Sequence, residues 1–160
     1  MADVPVTLEF ATVAHALELA PRLRPEDVAE LEACGVTPEE GLRRSIEGSD
    51  VCVAARFGAE LAYVFGAKAY PTTTLGHRVG CAWFLTGQAC SAHPKALVRS
   101  AKALMPGLQA ASGCAELRNW VDARYTGAVR LMERLGFQVL ATAPFGPQGL
   151  PFCLVSRRAD

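Results

Sequence analysis

The stretch Glu116–Phe137, ELRNWVDARYTGAVRLMERLGF, constrains the chain most, because it carries two hydrophobic periods back to back. From Glu116 to Asp122 the alternation is that of a strand. Leu117, Asn119 and Val121 project to one side and Arg118, Trp120 and Asp122 to the other. After a few polar residues, Val129, Met132 and Leu135 recur at three-residue spacing with Ala128 and Leu131 beside them, one face of a helix. Gly136 predicts the end of that helix, since a left-handed residue there satisfies the last carbonyls without a Cβ penalty. Phe137 then turns the chain into another strand. A strand, a short loop, a helix and a Gly-aromatic stop form half of a βαβ-like unit. Taken by itself, the unit specifies packing and no chemistry.

The rest of the chain supplies elements on either side. Val4–Thr12 alternates as a first strand. Residues 14–33 read as helical with a break between Pro21 and Pro25, because a proline inside a helix loses a hydrogen bond, whereas Pro25 suits the first turn of a resumed helix. Thr37-Pro38-Glu39-Glu40 predicts a capping box opening a helix that runs to Gly48. Val51–Phe57 and Glu60–Ala69 are predicted strands joined by Gly58-Ala59, a two-residue hairpin signal. Residues 70–79 form a polar connection, and Gly80–Thr86 is an apolar run suited to a central strand. His93–Ala111 predicts an amphipathic helix, with Leu97, Ala101, Leu104, Met105 and Leu108 inward and Lys95, Arg99 and Lys102 as a basic stripe. Pro106-Gly107 is expected to bend it or end it early. Gln138–Thr142 and Leu150–Val155 read as a closing hairpin around residues 143–149.

Composition narrows the class. With 160 residues, 51% of them hydrophobic, the chain is long enough for one domain with a full core, expected to span residues 1–160. Sixteen basic residues balance sixteen acidic ones, so no global field draws in nucleic acid or an anionic membrane. No run of about 18 apolar residues is present for a membrane span. The start MADVPVTLEF lacks the basic flank and long apolar centre of a signal peptide, which predicts a cytoplasmic location. Cys34, Cys52, Cys81, Cys90, Cys114 and Cys153 are scattered, as are His15, His77 and His93. That spacing argues against a zinc site and for reduced, structural cysteines.

YTGAVRLMERLGF resembles the late helix of the GCN5-related N-acetyltransferase (GNAT) fold, where an Asn, an Ala, a Tyr and a Gly-Phe recur at fixed spacing. Ala128, Gly136 and Phe137 match as they stand. Tyr125 stands where the family usually has Asn, and Met132 where it usually has the Tyr that protonates the departing thiolate. The fold class this resemblance implies is α+β: a single domain with a mixed, mostly antiparallel sheet of about seven strands flanked by helices. It also implies an anion site, because in that family the fourth strand runs into a glycine-rich loop whose backbone amides hold the pyrophosphate of acetyl-CoA. The corresponding run here, Phe84 to Pro94, has the single glycine Gly87. The implied acetyl-CoA contacts are Leu85, Thr86, Gly87, Gln88, Ser91 and Tyr125, with fewer close amides than a glycine-rich loop supplies. The same run also reads as a strand-to-helix turn with a polar cap. Asp122 and Glu60 are the carboxylates expected nearest such a cleft, where a general base takes a proton from an amine. Asp122 equally suits pairing with Arg124 or capping the next helix. Lys95, Arg99 and Lys102 either meet a nucleotide phosphate or form the wet face of their helix, and His93 reads as a surface histidine.

A longer resemblance runs from Pro25 to Phe152. The ordered pieces are RPEDV before a Glu-Leu, GVTPEE at Gly35, Phe65-Gly66, WFLTG at Trp83, NWVDAR at Asn119, Leu135-Gly136-Phe137 and GLPF at Gly149. In this order they are similar to a small family of tailed phages that includes an internal-virion protein with an acetyltransferase-like fold. That resemblance implies a non-catalytic virion or virion-assembly protein, with portal, head–tail or internal virion proteins as partners and no cofactor. The implied location is the host cytoplasm or the particle. The alternative carried by the first resemblance is an acetyl-CoA-dependent N-acetyltransferase with a degenerate pyrophosphate loop.

Overall fold

The computed structural model describes residues 3–71 and 76–160. In chain order the elements are β1 Val6–Phe10, α1 Val13–Leu19, a 3-10 turn Ala20–Arg22, α2 Pro25–Ala33, α3 Pro38–Gly48, β2 Val51–Phe57, β3 Glu60–Ala69, β4 Val79–Thr86, α4 Gln88–Ala92, α5 Pro94–Ser112, β5 Glu116–Asp122, α6 Thr126–Arg134, β6 Gln138–Phe145 and β7 Leu150–Arg158. The strands form one seven-stranded sheet in the order β1-β2-β3-β4-β5-β7-β6. Every neighbouring pair is antiparallel except β4 with β5. That parallel pair is short, with only Val79, Gly80 and Cys81 facing Glu116, Leu117 and Arg118. Past those residues the ladder stops, so the C-terminal halves of β4 and β5 leave an opening in the middle of the sheet.

Helices cover both faces of the sheet, which is why its central strands are apolar on both sides. On one face α5 and α6 contribute Leu97, Ala101, Met105, Leu108, Leu131 and Met132 to a core that includes Tyr63, Phe65 and Leu117. On the other, Ala16 and Leu19 of α1 and Leu42 and Ile46 of α3 pack on Ala54, Leu61 and Val64. Phe84 lies 4.9 Å from the ring of Tyr63 and 4.6 Å from that of Phe65, both tilted, the geometry aromatic quadrupoles favour.

The expected α+β architecture is present, with several local differences. The α6 helix ends as its sequence requires: Gly136 has φ +94°, its amide donates to the Glu133 carbonyl, and the Phe137 amide donates to Met132. The helix of residues 14–33 divides at Pro21, with the 3-10 turn between α1 and α2. Thr37 caps α3 by accepting from the Glu40 amide at 3.2 Å, but Glu40 turns its carboxylate to Arg44 instead of completing the box. The helix expected from His93 begins one residue later, after the separate short α4. It passes through Pro106 and Gly107 to Ser112. Pro106 is on the exposed side, while Met105, Leu108 and Gln109 hold the buried side on both flanks of it. The closing hairpin is longer than its sequence pattern: β6 extends to Phe145 and β7 to Arg158, leaving a tight turn. Of the polar connection at residues 70–79, positions 72–75 lie outside the described residues.

All six cysteines are unpaired. Burial pushes the thiols of Cys52 and Cys90 up to about 12, which keeps both protonated and unreactive. Among the described residues no helix is long and apolar enough to cross a membrane.

Candidate functional site

A small cavity in the opening between β4 and β5 adjoins a larger one outside it. The outer one, about 520 Å³, lies between the start of α5 and the start of α6. Its walls include Arg24, Arg124, Arg130 and Arg134, with Glu26 as the single carboxylate among the described residues, so its potential is positive. Arg130 and Arg134 stand at i and i+4 on the outward face of α6, and neither makes an ion pair among the described residues. Arg124 is committed elsewhere. Its Nε and Nη2 donate to Asp122 at 3.0 Å and 2.7 Å, and its guanidinium sits 5.3 Å from the centre of the Tyr125 ring. The N-terminus of α6 has no side-chain cap, which adds the positive end of a helix dipole to the same wall.

The inner cavity is small, about 30 Å³, and shares Arg24, Ala128 and Leu131 with the outer one. Its character is opposite. Asp27 and Glu30 enter it from α2, alongside Thr86 of β4 and Val121 of β5. The helix α2 therefore bridges the two separated strands: Asp27 accepts from the Thr86 hydroxyl at 2.5 Å, and Glu30 accepts from the Asp122 amide at 3.3 Å. The backbone adds a further tie, with the Arg24 amide donating to the Thr86 carbonyl at 3.0 Å. Burial pushes the Glu30 carboxyl up to about 8; the Asp122 amide pulls the other way, and the nearby Asp27 and Asp122 charges add to the rise. Burial also raises Asp27, against the Thr86 hydroxyl and Arg24.

Of the residues expected to contact a cofactor, Ser91 and Tyr125 line the outer cavity and Thr86 the inner one. Leu85 points into the core on the α1 and α3 side, and Gln88 is exposed and lines neither cavity. Gly87 also lines neither. Its amide is spent on the Ala62 carbonyl at 2.7 Å, and a Cβ there would lie 2.9 Å from Leu19 and 3.2 Å from the Ala62 oxygen. Gly87 is thus a close-packing glycine whose own amide is not free for a phosphate. Asp122 is fully buried and takes the Arg124 pairing, not a free base's position. Glu60 is exposed at the start of β3 and borders neither cavity. Arg99 is bound to Asp3 at 3.0 Å, and with Lys95 and Lys102 it lies outside the cleft wall.

The residues that build the electrostatics of the site, Arg24, Asp27, Glu30, Arg130 and Arg134, were not legible as site residues. A charged side chain on an amphipathic helix looks the same in sequence whether it faces solvent or a cleft. The one available signal was the pair of carboxylates at Asp27 and Glu30, three apart on a helix that packs over the sheet.

No family model and no curated protein matches this sequence. Solved structures match over nearly all of it. An acetyltransferase of the GNAT family from Streptococcus pneumoniae superposes with a TM-score of 0.62 at 16% identity, covering 98% of this chain and 100% of that one. The fold is the GNAT fold. The aminoglycoside acetyltransferase AAC(6')-Ib in complex with ribostamycin and coenzyme A has a TM-score of 0.68 at 16% identity, over 96% of this chain and 93% of its own. The same enzyme with paromomycin and acetyl-CoA gives 0.68 at 17% identity over the same shares. In this GNAT-fold chain the two cavities at the opening between β4 and β5 differ sharply in charge.

Proposed function

We propose that this GNAT-fold chain is an acyl-CoA-dependent N-acyltransferase acting on an amine. The observation that carries the reading is the arginine-lined cleft running into an inner cavity whose carboxyl groups have raised proton affinity. Acetyl-CoA fits the outer cleft by charge, since it is a polyanion and Arg130 and Arg134 are cations without a partner among the described residues. Arg24, Ser91 and Tyr125 complete the wall that would hold it. When bound, the cofactor supplies an activated thioester carbonyl.

The remaining work falls to side chains of this chain. With its carboxyl near working pH, the condition under which a general base is most effective, Glu30 is the group assigned to take a proton from an amine nitrogen brought to the rim of the inner cavity. Asp27 and Thr86 hold α2 against β4 and so fix where Glu30 stands. Met132, buried in the wall of that cavity, has no proton to give to a leaving thiolate. A thermal-shift titration with acetyl-CoA tests the reading. A ligand at a hundred times its dissociation constant stabilises by about 2.7 kcal/mol, several degrees for a domain of this size. No shift at millimolar acetyl-CoA, together with no thiol release in the presence of a panel of amines, defeats it.

The second reading is the phage assembly scaffold. One observation favours it: the side chains of Val139, Leu140 and Phe145 on β6 are exposed, an apolar surface for another protein to cover even though the backbone edge of that strand is guarded. Its signature is recovery of this chain in purified particles at a fixed ratio to portal protein, with no acetyl-CoA shift.

A further inference from the structure

The two edges of the sheet are guarded differently. The β6 edge carries Pro144 and a register shift between Val139 and Ala141, both of which hinder pairing with another strand. The β1 edge has neither proline nor lysine in VTLEF and stays in regular register with β2. Its apolar side chains are open: Leu8 is 50% exposed and Phe10 80% exposed, and with Glu9, Val53 and Leu104 they border a shallow recess of about 190 Å³.

The backbone hydrogen bonds show which groups of β1 are free. The Pro5 carbonyl accepts from the Gly58 amide, and the Ala11 amide donates to the Cys52 carbonyl. In an antiparallel ladder the residues that bond to one neighbour alternate with those that face away. Thr7 and Glu9 therefore spend their backbone groups on β2, and Val6, Leu8 and Phe10 turn theirs outward.

We propose that β1 pairs antiparallel with β1 of a second copy of this chain, about a two-fold axis through Leu8, so that two sheets become one. In this register Leu8 meets Leu8 of the second copy and Val6 meets Phe10. Each outward-turned residue then has a hydrogen-bonded partner, and each such pair exchanges both N–H···O bonds. A shift of two residues along the strand leaves outward groups unpaired, so the register is self-selected. Val6, Leu8 and Phe10 share one face, which buries the exposed side chains against their own symmetry mates. On the other face Thr7 lies opposite Glu9 of the second copy. The Glu9 carboxylate is already bound by Arg56 at 2.8 Å and His15 at 3.0 Å, so the copies approach without like-charge repulsion.

Sedimentation velocity on the full chain, across the micromolar range, reads the outcome. The wild type is expected to sediment as a dimer. Leu8→Pro removes one outward N–H, which an edge strand tolerates, and is expected to give a monomer. Leu8→Lys places like charges on the axis and is expected to do the same with an unchanged circular dichroism spectrum. If Leu8→Pro fails to fold, Leu8→Lys, on an exposed side chain, decides. A wild type that is monomeric throughout the range, or a dimer that persists in folded Leu8→Lys, overturns the proposal.

Discussion

The outer and inner cavities are neighbours with shared walls, yet they hold charge in opposite ways. The outer one gathers arginines that remain hydrated, so their charges persist and screen with salt. The inner one gathers carboxyl groups in a space of about 30 Å³, where burial disfavours ionisation and drives Glu30 up to about 8. The lesson is that charge of either sign is easy to keep at the mouth and costly to keep at the base. The cleft is thus positive at its mouth and holds a carboxyl of raised proton affinity a short distance beyond it.

Removing the inner carboxyl should break that division most. Glu30→Gln preserves the acceptor for the Asp122 amide but cannot take a proton, and turnover measured by thiol release should fall about 100-fold or more. The same variant has a stability signature. Folded Glu30 keeps its proton from its ordinary value of 4.5 up to about 8, whereas the unfolded chain has released it. Folding takes up a proton in that window, so the wild type loses stability as pH rises through it. Melting temperatures of Glu30→Gln should lack that decline, giving the variant an advantage above pH about 8. A wild-type melting temperature that stays level across the same window, matching that of Glu30→Gln, would mean that folded Glu30 is ionised there.

The outer cavity is probed by reversing the two cations that have no ion pair among the described residues. Arg130→Glu with Arg134→Glu should weaken acetyl-CoA by about 10- to 100-fold by calorimetry, since charge-assisted contacts are lost and repulsion is added. The remaining affinity should also depend less steeply on salt. Because both side chains are exposed, the melting temperature of the unliganded protein should hardly move. Equal affinity in the double variant would detach the cleft from acetyl-CoA.

A smaller effect is expected where α6 is held in place. Gly136→Val forces a β-branched residue to φ +94° and brings its Cβ to 3.0 Å from the Arg157 Nε, and should cost about 1–3 kcal/mol in urea unfolding. The smallest effect separates the cleft from the basic stripe on α5. Lys102→Glu lies outside the cleft wall, so acetyl-CoA affinity should stay within about twofold and stability within about 0.5 kcal/mol. A loss as large as that at Arg130 and Arg134 would return the stripe to the site.

What the sequence determined by itself was local. The strand at Glu116–Asp122, the helix stop at Gly136, the cap at Thr37 and the proline break before α2 follow from periodicity and backbone preference within a few residues. Those features, with the matching positions Ala128, Gly136 and Phe137, sufficed for the fold class. Tertiary structure decided everything that depends on distance through space. It set Glu30 against Asp122, 92 residues apart in the chain, turned Gly87 from an amide donor into a packing contact, and chose pairing with Arg124 for Asp122. The physical reason is that periodicity reports which face of an element is buried, not what stands opposite it. Proton affinity and field depend on what stands opposite: the same Glu is an ordinary acid on a wet helix face and a raised one over the opening between β4 and β5.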